Sequence, residues 1–234
     1  MMAAMIREKE NPTEKTLTER IYRMLREDII SGELSAGIKL KLDLLGKRYD
    51  CSSGPLREAL SRLSGEFLVK SVGQRGFIVA PISAKDAEEI GDLRLQLEAH
   101  AMVKSIRAGD DNWEERVITT HHRLERLEVR GEKTLENLVD WENRNREFHE
   151  ALVSACPSDW LLQVRNMNYR HHERYRRISR IKTVLTRNLH LEHLALRDFA
   201  LDRNIDGAVE TIRIHIQRTT SAVVVALEHN NIDE

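Results

Sequence analysis

Residues 42–81 read LDLLGKRYDCSSGPLREALSRLSGEFLVKSVGQRGFIVAP, and this stretch decides the fold of the first third of the chain. Apolar residues over 42–49 predict a short helix, and Asp50 to Ser53 has the composition of a turn. Pro55 fits the first turn of a second helix, where its missing N–H is not needed. Four apolar residues then recur at helical spacing: Leu56, Ala59, Leu60 and Leu63.

Two short apolar runs follow the second helix, Phe67–Val69 and Phe77–Val79, joined through Gly73-Gln74-Arg75-Gly76. They predict the two strands of a hairpin with a basic tip. Two helices separated by a tight turn and followed by such a hairpin predict a winged helix-turn-helix. That motif places its second helix in the major groove of DNA.

Upstream of this stretch, residues 1–15 are polar and predict a flexible N-terminus. Thr16-x-x-Glu19 is a capping box that begins a helix ending at Gly32. Ser35 to Leu40 is interpreted as a loop. The DNA-binding domain is therefore predicted over residues 16–82.

Residues 83–234 show helical patterns, with no strand pattern after residue 80. Six helices are predicted, over 84–107, 113–130, 134–155, 160–179, 184–202 and 205–229. In the first of them five apolar residues are expected on the buried side: Ile90, Leu93, Leu97, Ala101 and Val103. The fold class is therefore mainly α, an N-terminal winged helix-turn-helix followed by an antiparallel all-α bundle of six or seven helices.

The chain has 234 residues, of which 41% are hydrophobic and 32% charged, a composition typical of a soluble globular protein. Its longest apolar run, Ala222 to Leu227, is far too short to cross a bilayer, so no membrane partner is expected. The first residues lack the apolar stretch of a signal peptide. Two cysteines without metal-ligand spacing suit cytoplasmic thiols.

Charge is unevenly divided along the chain, although the formal net charge is only −1. Residues 16–83 carry 11 Lys/Arg and 8 Asp/Glu, a balance of +3, whereas residues 84–234 carry 23 and 27, a balance of −4. A basic first part and an acidic second part suit a DNA-binding domain joined to a separate sensor.

The segment GPLREALSRL, followed by QRGFIVAPIS, resembles the GntR family of bacterial transcription regulators. The remainder resembles the all-helical FCD effector-binding domain of the FadR subfamily. The resemblance implies a ligand-responsive regulator, and we expect a homodimeric repressor that binds a double-stranded DNA operator and a small carboxylate effector. Local likeness around GPLREAL and GDDNWEERV to a glutarate-sensing member suggests a dicarboxylate such as glutarate.

The resemblance also implies DNA-contacting residues at the start of the second helix and in the wing. These are Ser52, Ser53, Gly54 and Arg57, with Gln74, Arg75 and Gly76 at the wing tip. Family members often have Arg where this chain has Ser53, which implies a different or looser operator code. The competing interpretation is that Arg57 and Arg75 are ordinary surface charges.

A second set implied by the resemblance is a metal site. The FCD domain has an Asp-x-x-Phe-His-like segment and two further histidines on its last two helices. The matching residues here are Asn145, His149, His193 and His215, and three imidazoles from separate helices can hold Zn²⁺ or Ni²⁺. Asn145 is a neutral and weaker ligand than the usual Asp. The competing interpretation is three buried, hydrogen-bonded histidines without metal.

Arg94 matches an R-x-x-L-E pattern on the first FCD helix and is predicted to bind the effector carboxylate or an internal acidic residue. The five arginines from Arg170 to Arg180 are interpreted as a solvated face, with the alternative that one of them points into the pocket. The adjacent pairs His121-His122 and His171-His172 point about 100° apart on a helix and make poor chelates; their role stays open.

The sequence leaves two rival functions open. One is a metal-dependent enzyme using the three histidines, but no HExxH or comparable motif supplies a general base, so the chain is predicted not to be an enzyme. The other is a constitutive DNA-binding protein whose bundle only dimerises.

Overall fold

The computed structural model describes residues 16–73, 76–130, 134–180 and 188–230. The predicted flexible segment 1–15 lies outside these residues. The chain divides into two compact units, Met1–Pro81 and Ile82–Glu234. No helix in the described part of the chain is both long and apolar enough to span a membrane.

The N-terminal unit is the predicted winged helix-turn-helix. Its elements are α1 Leu17–Ser31, β1 Lys39–Leu40, α2 Leu42–Tyr49, α3 Ser53–Gly65, β2 Val69–Ser71 and β3 Phe77–Val79. The strands form an antiparallel sheet in the order β1-β3-β2. The four apolar residues of α3 named above are fully buried against Ile21, Leu25 and Ile29 of α1. The helical spacing therefore builds the core of this unit.

Local sequence signals determine both ends of α1. The Thr16 hydroxyl accepts a hydrogen bond from the Glu19 N–H at 3.2 Å, as the capping box predicts. Gly32 ends the helix with φ of 89°, a left-handed conformation that glycine adopts without steric cost.

The predicted first strand of the hairpin is displaced along the chain. The N–H groups of Phe67 and Leu68 still bond to carbonyls of α3, so β2 begins only at Val69. Phe67 has φ of 60° and is 68% exposed rather than buried in a strand. A further strand, Lys39–Leu40, replaces part of the predicted loop because it pairs with Phe77 and Ile78.

The C-terminal unit is the predicted all-helical bundle, and its described residues contain no strand. The helices are α4 Ala84–Ala108, α5 Asp111–Arg130, α6 Leu135–Val153, α7 Asp159–Arg180, α8 Leu189–Leu201 and α9 Ile205–Asn230. Helices α4 and α9 pack most extensively. A Cβ on Gly91 would collide with Thr220, so glycine permits this close approach.

The buried face of α4 differs from the prediction. Leu93 is 46% exposed, whereas Arg94 and Glu98 are each 1% exposed. Ala101 is buried as expected, and Ile90 is only partly buried. Helix α4 is therefore oriented with Arg94 and Glu98 facing the interior of the bundle, where they contact residues of α7.

Candidate functional site

Three helices bring three histidines together in the C-terminal unit. His149 of α6, His193 of α8 and His215 of α9 each place a ring nitrogen within 4.8 Å of the others. The ring centroids are 5.0–5.6 Å apart, and the side chains are buried. Such a cluster has the residue types and spacing of a three-histidine metal site.

Two of the imidazoles are oriented by carboxylates. The Nδ1 of His193 lies 2.8 Å from Glu128 Oε1, and the Nδ1 of His215 lies 2.8 Å from Glu192 Oε2. Because an ionised carboxylate only accepts, each Nδ1 must carry the proton and donate. Each Nε2 is then left with a lone pair, as in the carboxylate–histidine–metal arrangement of many metal sites.

Several buried polar atoms of the cluster have no hydrogen-bond partner among the residues that the structure describes. They include both ring nitrogens of His149, Nε2 of His193 and Oδ1 of Asn145. Burial, reinforced by the neighbouring His215, holds the pKa of His149 well below its ordinary value, so this imidazole is neutral. Neutral nitrogens and a carbonyl oxygen fit a divalent cation, and leaving them buried without one is costly.

Asn145 precedes His149 by one helical turn and is held by Tyr169. Its amide nitrogen donates to the Tyr169 hydroxyl at 3.2 Å, which leaves Oδ1 as the unpaired atom. The ring of Tyr169 is buried, and the guanidinium groups of Arg94 and Arg165 lie 4.5 and 4.7 Å from its centroid. Cation–π contacts thus place two positive charges beside the histidine cluster.

Arg94 is buried with one donor left over. Its Nε bonds to Glu98 at 3.3 Å, and its Nη1 lies 2.7 Å from the Nδ1 of His172. Within the described chain, Nη2 has no partner. Burial lowers the pKa of Arg94 from its ordinary value, although Glu98 opposes that shift. Arg94 therefore combines the structural pairing and the free donor that the sequence left as alternatives.

Arg165 of α7 completes this charged group. Its Nη2 donates to both oxygens of Glu98, at 2.8 and 3.1 Å, and to the carbonyl of His149 at 3.1 Å. One buried carboxylate therefore neutralises two guanidinium groups only in part. The remaining positive charge suits an anionic ligand.

Sequence reasoning missed most of the residues that surround the cluster. These are Glu128, Arg165, Tyr169, His172 and Glu192, while Glu98 stood in the matched R-x-x-L-E pattern without an assigned role. Glu192 stands beside His193 in the sequence, and His172 belongs to a histidine pair, so both offered a weak signal. Glu128 is 65 residues from His193, and no local pattern links them.

The interpretation of Arg170 to Arg180 as a solvated face is wrong for its centre. Arg174, Arg176 and Arg177 are at most 7% exposed. Arg176 bonds to the buried Glu142 at 2.6 and 3.0 Å, and Arg177 donates to Glu173 at 2.8 Å. Partners on α6 and α7 make burial of these charges possible.

His121 is buried apart from the cluster, with its ring edge against Phe148. Its Nδ1 lies 3.3 Å from Arg197 Nη1, which favours a neutral ring that accepts. Burial, followed by the Arg197 charge, lowers the pKa of His121 to about 4. Its neighbour His122 is 68% exposed, so the pair does not act as a chelate.

The proposed DNA-contacting residues of α3 lie together at its N-terminus. Ser52, Ser53, Gly54 and Arg57 are all exposed, and the Ser52 side chain makes no capping bond. The first N–H groups of α3 can therefore bind phosphate. Gly76 is partly buried with φ of 93°, and Gln74 and Arg75 lie outside the described residues.

Comparisons with known proteins agree with this division of the chain. Residues 17–79 match the family described as "Bacterial regulatory proteins, gntR family", and residues 89–218 match the FCD domain. The chain is 42% identical over 210 residues to the HTH-type transcriptional regulator BphR of Paraburkholderia xenovorans, covering 89% of this chain and 86% of BphR. It is 37% identical over 215 residues to the HTH-type transcriptional repressor GlaR of Escherichia coli, covering 89% and 96%.

A solved structure supports the fold. The chain is similar to E. coli McbR/YncC, with a TM-score of 0.75 and 18% sequence identity, over 89% of this chain and 97% of that one. At this identity the likeness concerns the fold alone.

Proposed function

The chain belongs to the GntR family of bacterial regulatory proteins and carries an FCD domain, and from this premise we propose that it is a repressor whose operator binding is controlled by a small carboxylate. Membership makes it a DNA-binding transcription regulator. Repression, as opposed to activation, is part of the proposal. The similarity of this chain to the repressor GlaR over most of GlaR's length favours repression.

One observation carries the proposal: metal-ligand atoms and a cationic donor are buried together without partners in the described chain. His149 and His193 contribute nitrogens, and Arg94 contributes Nη2. A buried polar group without a partner costs several kcal/mol in an apolar medium, on the order of 2–7. A ligand that satisfies both kinds of group would remove that cost.

The metal in this proposal is a divalent ion, Zn²⁺ or Ni²⁺, held by His149, His193 and His215 with Asn145 as a weaker fourth ligand. Such an ion supplies coordination positions for an anionic oxygen when it is bound. Glu128 and Glu192 orient two of the imidazoles, and burial keeps water from the cluster.

The effector in this proposal is a small carboxylate that pairs with Arg94. A dicarboxylate such as glutarate suits a site with two attractions for anions, the proposed divalent cation and a partly neutralised pair of guanidinium groups. Tyr169 adds a hydroxyl, and the Nε of Arg165 is a further buried donor without a partner in the described residues.

DNA binding in this proposal uses two copies of the α3 surface, since winged-helix dimers bind palindromic half-sites. A homodimer would present Ser52, Ser53, Gly54 and Arg57 twice, with the wing residues Gln74, Arg75 and Gly76 beside them. Effector and operator must then change each other's affinity by the same factor.

The test is thermal stabilisation by a panel of organic acids, using untagged protein with and without bound metal. An effector at a hundredfold excess over its Kd should stabilise the native state by about 2.7 kcal/mol. Arg94→Lys keeps the charge but loses the planar fork, so it should lose most of that stabilisation. Elemental analysis should find up to one metal per chain, and none in His193→Ala.

A protein that is stabilised equally with and without metal would contradict the metal site. A normal response in Arg94→Lys would show that Arg94 is structural and that the carboxylate binds elsewhere.

A further inference from the structure

Alternating carboxylate and imidazole groups connect the surface of the C-terminal unit with the buried histidines. They lie on the facing sides of α5 and α8, and their exposure falls at every step inward. The exposed fraction of the side chain is 33% for Glu125, 23% for His190, 4% for Glu128 and 0% for His193.

His190 stands between the two carboxylates. Its Nε2 is 3.9 Å from Glu125 Oε1, and its Nδ1 is 3.9 Å from Glu128 Oε2. The other oxygen of Glu128 holds His193 at 2.8 Å and also accepts from the Trp141 indole at 3.1 Å. Glu128 is therefore shared between this line and the three-histidine cluster.

The space between Glu128 and His190 is suited to a cation. Glu128 Oε2 and His190 Nδ1 are both buried, and neither has a hydrogen-bond partner among the described residues. Their separation of 3.9 Å is too long for a hydrogen bond. Two ligand atoms that are each about 2.0–2.2 Å from a Zn²⁺ ion lie at most about 4.4 Å apart, so one ion fits between them.

The carboxylate that orients His215, Glu192, is paired with an arginine at the surface. Glu192 binds His215 with one oxygen, and its second oxygen accepts from Arg218 at 3.1 Å. The Arg218 side chain is 60% exposed, so a positive charge stands at the surface on this side. Arg94 and Arg165 add positive charge within the bundle. Of these approaches, the line through His190 is the one that attracts a cation.

A divalent ion cannot cross an apolar bundle bare, because burying an unpaired charge is very costly. Ligands placed at intervals lower that cost by replacing water step by step, provided that each holds the ion weakly enough to release it.

We propose that Glu125, His190 and Glu128 form the route by which a divalent cation enters and leaves the three-histidine site. This inference rests on the metal site proposed above. Glu128 has two functions, since it also orients His193. Glu125 and His190 are not among the three proposed ligands, so they should set the rate of exchange and leave the equilibrium affinity unchanged.

The experiment uses Co²⁺, whose visible absorption changes when nitrogen ligands replace water. Uptake by metal-free, untagged full-length protein is followed by stopped flow, and release is followed after adding excess chelator. The variants are His190→Phe and Glu125→Gln. The control is His100→Phe, the same replacement at an exposed histidine of α4.

Both route variants should slow uptake and release by the same factor, about tenfold or more, as expected when only a barrier is raised. Their Kd for Co²⁺ should equal that of wild type, and His100→Phe should exchange at the wild-type rate.

Wild-type exchange rates in His190→Phe and Glu125→Gln would overturn the route while leaving the metal site intact. A weaker Kd caused by faster release would also overturn it, because these residues would then be part of the bound state. A wild-type protein that takes up no Co²⁺, Zn²⁺ or Ni²⁺ would overturn the metal site and the route together.

Discussion

The N-terminal unit buries apolar and aromatic side chains, and all the buried charged residues of the described chain lie in the C-terminal unit. There the bundle buries five arginines and three glutamates: Arg94, Arg165, Arg174, Arg176, Arg177, Glu98, Glu142 and Glu173. An apolar core stabilises a fold without directional requirements. A charged core is stable only when each group has its partner.

This difference matches the division of roles between the units, with DNA binding in the N-terminal unit and the proposed ligand binding in the C-terminal unit. The N-terminal core only has to hold α3 rigidly, so that the groups outside it can meet DNA. In the proposed function the charged part of the C-terminal core is itself the ligand site, and atoms without a partner in the described chain, such as Arg94 Nη2 and the nitrogens of His149, lie where that ligand would bind. Four experiments test the comparison.

Removing the shared carboxylate of the charged core should have the largest effect. Glu98→Ala leaves Arg94 and Arg165 buried without their main partner and should lower the free energy of unfolding by about 3–5 kcal/mol. Denaturant unfolding followed by tryptophan fluorescence measures this, because all three tryptophans lie in the C-terminal unit.

The control is Glu147→Ala, which removes a partly exposed pair with Arg144 and should cost at most about 1 kcal/mol. Equal losses in the two variants would show that burial does not distinguish these ion pairs.

Loss of side-chain volume should destabilise the apolar core of the N-terminal unit. Leu60→Ala creates a cavity beneath α3 and should destabilise the N-terminal unit by about 2–5 kcal/mol, with weaker DNA binding. Circular dichroism should show an early transition that tryptophan fluorescence does not. Leu44→Ala, at a position 60% exposed, should change little. Fluorescence shifted as much as circular dichroism would mean that the two units unfold together.

A substitution on the exposed face of α3 should weaken DNA binding without changing the free energy of unfolding. Arg57→Ala should cost about 1–3 kcal/mol in binding to an operator located by footprinting. Arg107→Ala, an exposed arginine of the C-terminal unit, is the matched control. Unchanged operator affinity in Arg57→Ala would remove this residue from the DNA interface.

Per pH unit, the smallest change in stability should come from protonation of His121. The folded pKa of His121 is about 4, below its ordinary 6.5, so between these values the unfolded chain binds a proton that the folded chain does not. The free energy of unfolding should therefore fall as pH drops from about 6.5 to about 4, by at most about 1.4 kcal/mol per pH unit from this group.

The measurement is denaturant unfolding of metal-free protein across this pH window. His121→Asn should reduce the slope, since it removes one of the titrating rings, while His122→Asn at the exposed neighbour should leave it unchanged. An unaltered slope in His121→Asn would mean that other groups account for the acid sensitivity.

Prediction from sequence succeeded where the determining contacts are local. The helices of the DNA-binding unit follow from the capping box at Thr16, from Pro55 and from the apolar spacing of α3. It failed at Phe67, whose N–H bonds to a carbonyl of α3 so that β2 begins only at Val69, and at Lys39–Leu40, which is a strand only because β3 lies beside it.

The candidate site was predictable to a smaller extent. Resemblance to the FCD domain singled out His149, His193, His215 and Arg94, and the structure places the three histidines in one cluster. The carboxylates that orient them were not predicted, because a partner such as Glu128 is distant in the sequence and carries no pattern of its own.

The sequence by itself determined where helices begin and end and which family the two halves resemble, because caps, turns and apolar spacing act within a few residues. Tertiary structure alone decided which polar side chains are buried. The apolar pattern of α4 predicted Leu93 inside, yet Arg94 and Glu98 are inside, because Arg165 and Tyr169 of α7 supply the partners that make burial of their charges affordable.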